Sequence, residues 1–149
     1  MIEYEHAEDI KTRIRRIAWV LNFKYPDIER VVCVRSRGSQ SRRVLARCHA
    51  LPRIMQAALS VKPLYVIEVI SERFDKLSLE EQDKTLIHEL SHIPKAFGGG
   101  FVHHDCVNSR LVERLYREYK ERISKITVPE TCSAAGVMQG SVCQVVQPA

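Results

Sequence analysis

The residues best suited to chemistry in this chain are His88, Glu89 and His92, which form the pattern H-E-x-x-H. Residues four apart lie on one face of a helix, so both imidazoles can reach a single ion. Glu89 projects toward the side where a water molecule would bind. A Zn²⁺ ion lowers the pKa of such a water to roughly 7, and a nearby carboxylate can accept its proton. The pattern therefore predicts one Zn²⁺ ion per chain and a hydrolytic reaction with Glu89 as general base.

A catalytic zinc site needs a third protein ligand and one open position. Beyond the three glycines at 98–100 the chain offers His103 and His104. We expect one of these histidines to complete the site, because the glycine turn can swing them back over the helix that carries the motif. His104 is the preferred ligand and His103 is the alternative. Glu113 is a further candidate from the last helix. Asp105 is expected to cap that helix or to orient an imidazole.

The elements that must position these residues follow from periodicity and capping. Ser78, with Glu81 three residues later, predicts the start of the helix that carries the motif, and Pro94 limits its end. Residues 44–51 fit either a strand or a short helix. The remaining signals predict helices near 7–23, 53–59 and 108–123, and strands at 31–34 and 65–70. This order of helices and strands indicates an α+β domain.

The motif and its surroundings resemble a metallopeptidase family of archaea and phages. The resemblance is carried by residues 86–94, read L-I-H-E-L-S-H-I-P, by Gly99-Gly100 and by His104-Asp105 downstream. Residues 51–54 and 65–78 are also similar to the archaeal members. The family is distantly related to the SprT-like zinc peptidases, in which a third histidine follows a glycine-containing turn. The likeness extends over residues 30–120.

The resemblance implies a zincin-like fold, in which a small mixed or antiparallel sheet and flanking helices pack on the active-site helix. It implies the ligands His88, His92 and His104, with Glu89 as the catalytic residue, and hydrolysis of peptide bonds. In such folds an edge strand accepts the substrate peptide as an added strand. We expect that strand to be residues 65–70, with Tyr65, Val66 and Ile67 contacting the substrate. Candidates for stabilising the oxyanion are His103, Tyr116 and Tyr119.

Composition excludes several other classes of protein. The chain has 149 residues, of which 45% are hydrophobic and 28% charged, so it can bury one domain's core. No apolar run approaches the roughly 20 residues that a membrane-spanning helix needs. The start lacks the pattern of a secretory signal, and five scattered cysteines do not form a disulfide framework. We expect a cytoplasmic protein with no membrane partner.

The net charge of +5 and the arginine-rich turn at 35–43 permit a weak contact with nucleic acid. They motivate a rival hypothesis, a nucleic-acid-associated binding module whose metal is structural or absent. A zinc hydrolase acting on a non-peptide amide is a third possibility that fits the same ligands. A solvated loop is the simpler interpretation of the turn, because it has no aromatic residues for stacking on bases.

A change in composition divides the chain near residue 128. Residues 1–128 are predicted to form the metallopeptidase domain. Residues 129–149 contain almost no charge and are predicted to form a tail that is flexible or pinned by a disulfide between Cys132 and Cys143.

Overall fold

The local signals of the sequence produce four strands and five α-helices in residues 1–126, the part of the chain that the computed structural model describes. The strands are β1 (Glu3–His6), β2 (Val31–Arg37), β3 (Ala46–Ala50) and β4 (Tyr65–Ile70). The helices are α1 (Glu8–Val20), α2 (Arg53–Leu59), α3 (Ser71–Phe74), α4 (Leu79–Ser91) and α5 (Ser109–Ile126), with one 3₁₀ turn at Ile28–Arg30. The segment that fitted either strand or helix is the strand β3.

The strands form a single mixed sheet with the order β1-β2-β4-β3. β2 and β4 are parallel, whereas β1 and β3 run antiparallel to their neighbours. The parallel pair is joined by a crossover that contains β3 and α2. The prediction of an α+β fold with a small mixed sheet packed on the motif-bearing helix is confirmed.

The sheet order corrects the prediction that residues 65–70 form the edge strand. β4 hydrogen-bonds to β2 on one side and to β3 on the other, so its backbone has no free edge for a peptide. Tyr65 and Ile67 are completely buried, and Val66 is half-buried. The edge strand beside α4 is β3.

The core lies between one face of the sheet and the helices α1, α4 and α5. α1 contributes a stripe of isoleucines at helical spacing, Ile10, Ile14 and Ile17, each completely buried. Leu86, Ile87 and Leu90 of α4 are also completely buried. Burying a side chain of this size stabilises the fold by about 1.5–3 kcal/mol relative to leaving it exposed. α4 is therefore held firmly between the sheet and α5, and this fixes the position of the motif residues that it carries.

The first residue of α4 is set by Ser78, whose hydroxyl accepts a hydrogen bond from the backbone N–H of Glu81 at 3.2 Å. α5 begins in the same way, because the Asn108 side chain accepts from the N–H of Leu111 at 3.0 Å. Asp105, which the sequence suggested as a cap of this helix, is exposed, and Asn108 is the cap instead. Within the described residues no helix is long and apolar enough to cross a membrane. The predicted boundary at residue 128, the tail and its Cys132 and Cys143 lie outside residues 1–126.

Candidate metal centre

The end of α4 brings the two motif histidines together, His88 in its last turn and His92 as its C-cap residue. Their Nε2 atoms are 3.1 Å apart and the ring centroids 4.8 Å apart. Two imidazoles bound tetrahedrally to one Zn²⁺ ion, at about 2.0–2.1 Å each, have nitrogens about 3.3 Å apart. The separation of His88 and His92 therefore already suits a shared ion.

His92 is oriented by the chain that follows the glycine turn. Its Nδ1–H donates to the carbonyl oxygen of Val102 at 2.7 Å, because a carbonyl can only accept. In return the N–H of Val102 donates to the carbonyl of His92 at 2.8 Å. The proton on Nδ1 leaves the lone pair of Nε2 directed at His88, which is the arrangement found in histidine ligands of metals.

The same pair of hydrogen bonds brings His104 back over α4. One nitrogen from each of His88, His92 and His104 forms a group in which all three atoms lie within 4.8 Å of one another. The ring of His104 is 4.4 Å from that of His92 and 5.6 Å from that of His88. His103 lies at the edge of the same cleft and is not part of this group.

The turn that redirects the chain is fixed by the buried side chain of Tyr65. Its hydroxyl accepts from the N–H of Gly99 at 3.0 Å and donates to the carbonyl of Gly100 at 2.8 Å. Gly99 has φ +100°, and a Cβ there would lie 2.6 Å from the Gln56 side chain and 2.9 Å from the Leu51 carbonyl. Only glycine fits this position without strain. Tyr65 thus supports the site from beneath instead of contacting a substrate.

The imidazole of His88 is held in the neutral form that a metal requires. Burial, together with the neighbouring His92 and His104, lowers the pKa of His88 to about 4. A neutral imidazole offers a lone pair, whereas a protonated one repels a cation. The three nitrogen donors therefore fit a divalent ion of the kind that imidazole prefers.

Glu89 lies beside these nitrogens at the inner wall of the cleft and is 7% exposed. Burial raises the pKa of its carboxyl group to about 7, and a hydrogen bond from the backbone N–H of Cys48 in β3 acts in the opposite direction. A carboxylate with few water contacts, next to three imidazole nitrogens that could hold a metal, is placed to exchange a proton with a small molecule bound there.

The cleft has a volume of about 1010 Å³, enough for several residues of an extended peptide. β3 forms one wall, α4 the floor, and the 101–104 segment with the start of α5 the other wall. Its lining includes the polar residues Arg43, Arg47, Lys84, Glu89 and Glu113, and the histidines His49, His88, His92, His103 and His104.

Three other candidates, Glu113, Tyr116 and Tyr119, have different surroundings in the structure. The carboxylate of Glu113 accepts a hydrogen bond from Lys84 Nζ at 2.8 Å and is not in the metal-binding group. Tyr119 is buried in the core, and the ring of Tyr116 lies under the ammonium group of Lys84, 5.0 Å from the ring centre. Neither tyrosine lines the cleft.

The arginine-rich turn is less available for phosphates than its sequence suggests. Arg35 forms a bidentate pair with Asp9 at 2.6 and 2.7 Å, and Arg37 binds Glu5 at 2.7 Å. Both guanidinium groups are thus used within the fold. Arg42 and Arg43 are exposed.

The sequence did not predict that β3 contributes to the site. Its residues 46–49 line the cleft, and its Cys48 contacts Glu89. The break at Pro52 and the β-branched or apolar residues at 44–46 were weak signals for a strand, but nothing local placed that strand beside α4.

Comparison with known proteins shows which family this chain resembles. Neither a curated protein nor a solved structure matches the chain. A family model described as "Putative phage metallopeptidase" matches residues 2–132, which is most of the chain and includes every residue of the metal-binding group. With an H-E-x-x-H helix and three convergent imidazoles, the chain belongs to this family of metallopeptidases.

Proposed function

We propose that this protein is a zinc-dependent peptidase. In this proposal His88, His92 and His104 hold one Zn²⁺ ion, and Glu89 is the general base. The observation that carries it is the convergence of three imidazole nitrogens within 4.8 Å, beside a buried carboxylate in an open cleft. Three protein nitrogens leave a fourth tetrahedral position for water or substrate, which distinguishes a catalytic zinc site from a structural one.

Zinc is favoured over other ions by the donor set. The ligands are three neutral imidazoles with no thiolate and no carboxylate among them, a set that suits Zn²⁺ and is poor for Mg²⁺ or Ca²⁺. When bound, the ion supplies Lewis acidity that acidifies water and polarises a carbonyl group. The proton transfers are carried out by a residue of the chain.

Glu89 performs the proton transfers in this mechanism. Its carboxylate accepts a proton from the attacking water and then delivers it to the leaving amine, so that no free acid or base is needed. Burial keeps bulk water from competing for that proton. The backbone N–H of Cys48 holds the carboxylate at the boundary between β3 and α4.

The backbone of β3 is the surface on which a peptide would align. Ile70 N–H donates to the Leu45 carbonyl, and Leu51 N–H donates to the Leu64 carbonyl. In an antiparallel pair, residues that hydrogen-bond to the neighbouring strand alternate with residues that do not. Ala46 therefore directs its N–H and C=O groups away from β4 and toward the cleft, and Cys48 directs its C=O group the same way, while its N–H bonds to Glu89. A substrate strand added there would place a peptide bond close to Glu89 and the imidazoles.

The test compares Glu89→Gln with the wild type in zinc content and in hydrolysis of a fluorescent casein. We expect Glu89→Gln to retain about one zinc per chain and to lose at least 100-fold in rate, because the amide cannot accept a proton. His88→Ala should lose both zinc and activity. A Glu89→Gln protein that cleaves as fast as wild type would refute the mechanism.

Glu113→Gln is the matched control, because it changes another glutamate of the same cleft. It should keep both zinc and activity, whereas loss of zinc would make Glu113 a ligand. The rival functions predict different results. A nucleic-acid-associated module with a structural metal binds zinc and hydrolyses nothing, and an amide hydrolase cleaves small amides while leaving casein and peptides intact.

A further inference from the structure

The charged side chains that line the cleft are not equally satisfied. Lys84 donates to Glu80 and to Glu113, each at 2.8 Å, so its charge is neutralised within the protein. Arg47 lies 3.6 Å from the buried carboxylate of Glu68. The charges of these two residues are therefore already balanced and are poor anchors for a ligand.

Arg43 differs from both of them. It is exposed, it lines the cleft, and it makes no hydrogen bond or ion pair with any residue in the described part of the chain. A guanidinium group offers five donors in a planar fork that matches a carboxylate. This leaves an unused anion-binding group at the wall along which a peptide would align.

The position of Arg43 defines one end of the cleft. Leu45 pairs with the last residue of β4, whereas Ala50, at the other end of β3, pairs with Tyr65. Tyr65 holds the glycine turn that leads to Phe101, which is exposed and apolar. The cleft therefore has a cationic end at Arg43 and an apolar end at Phe101, with the imidazoles between them.

We infer that the cleft selects peptides with an acidic side chain on one side of the bond to be cleaved, and that Arg43 binds this carboxylate. The inference rests on the proposed function and specifies its substrate class. Cys48, which contacts Glu89, lies within β3, whereas Arg43 lies three residues before the first residue of that strand. The acidic residue therefore lies a few residues from the cleaved bond, always on the same side.

Binding is measured on the full-length Glu89→Gln protein, which separates recognition from catalysis. The probes are three fluorescein-labelled dodecapeptides with the repeats Ala-Val-Glu, Ala-Val-Gln and Ala-Val-Lys. Only the third residue of the repeat differs among the three peptides. Because it recurs every three residues, a Glu, Gln or Lys side chain lies near Arg43 in whichever register the peptide binds. By fluorescence anisotropy we expect the Glu peptide to bind about fivefold more tightly than the Gln peptide, with the Lys peptide weakest.

Arg42 provides the matched control, because it is also exposed but does not line the cleft. Arg43→Glu and Arg42→Glu change the net charge equally. Arg43→Glu should reverse the preference in favour of the Lys peptide, and Arg42→Glu should leave it unchanged. Equal binding of the Glu and Gln peptides, no binding of any peptide, or equal effects of the two variants would overturn the inference.

Cleavage of a random peptide library by the zinc-loaded wild type separates the two proposals. Cleavage with no acidic enrichment refutes the role of Arg43 and leaves the peptidase intact. Absence of cleavage, together with a charge preference in binding that depends on Arg43, refutes the peptidase and leaves the anion site. Cleavage with acidic residues enriched on one side only supports both.

Discussion

At the scale of single residues, the group of three imidazoles depends on residues that are not members of it. Tyr65 holds the glycine turn through two hydrogen bonds, and Val102 fixes the ring of His92 through its carbonyl. These contacts determine where His104 lies. Removing them should therefore weaken metal binding even though every ligand is retained.

Tyr65→Phe tests this support with the smallest change in shape. It removes both hydrogen bonds and leaves the half-buried N–H of Gly99 without its partner, so we expect a loss of about 1–3 kcal/mol in the free energy of unfolding. Zinc affinity should fall about tenfold or more. Urea denaturation and zinc titration measure the two effects. Tyr119→Phe, a buried tyrosine far from the turn, should leave zinc affinity unchanged.

Gly99→Ala tests the backbone of the same turn. The φ of +100° and the approach of the Gln56 side chain and Leu51 carbonyl should make alanine cost about 1–3 kcal/mol of stability and displace His104. Gly98→Ala is the control, because a Cβ at that position meets nothing within 4 Å. Equal stability and equal zinc affinity of the two variants would contradict the role assigned to the turn.

At the scale of elements, the site depends on β3 staying against α4. β3 is an edge strand, and its side chains on the face away from the core are tied to β4 through Glu68. The carboxylate of Glu68 is 3% exposed and lies 2.8 Å from His49 Nε2 and 3.6 Å from Arg47. This buried acid therefore holds the edge strand in place on the face of the sheet away from the core.

The ionisation of Glu68 makes this support dependent on pH. Burial raises the pKa of Glu68, but the neighbouring Ser36 and His49 and the charge of Arg47 outweigh it, so the folded pKa lies below the ordinary value of 4.5. Its contribution to stability is therefore complete above pH 4.5 and is lost as pH falls through the folded value. The stability advantage of the wild type over Glu68→Gln, measured in urea, should shrink below pH 4.5. A difference that stays constant from pH 7 to 3 would disprove this linkage.

At the scale of the whole molecule, the proposed ion joins two segments that are separate in sequence. Two of the proposed ligands lie in α4 and at its C-cap, and the third follows the glycine turn, so the ion would connect the turn to the core helix. An ion that binds only the folded protein must raise its stability by mass action. Zinc should therefore act as a structural link as well as a cofactor.

We expect zinc at 100 times its Kd to raise the free energy of unfolding by about 2.7 kcal/mol, with a rise in melting temperature that EDTA reverses. The rise should disappear in His104→Ala and remain in His103→Ala, since only His104 lies in the metal-binding group. Differential scanning fluorimetry of the three proteins measures this. The opposite result would exchange the roles of the two histidines.

The sequence alone determined the elements whose signals are local. The cap at Ser78, the i, i+4 spacing of His88 and His92, and the apolar run at 65–70 each depend on neighbouring residues, and the structure forms α4 and β4 where these signals predicted them. The resemblance carried by the motif likewise agrees with the family that the chain belongs to. These features needed no knowledge of distant contacts.

The tertiary structure decided everything that depends on which segments meet. A strand's position in a sheet is set by pairing between residues far apart in sequence, so the run at 65–70 could not reveal that it lies in the centre and that β3 forms the edge. The ion pairs of Arg35 and Arg37 join distant segments too. The choice between His103 and His104 depended on the hydrogen bonds of Tyr65 and Val102, because a one-residue shift in a turn points a side chain the other way.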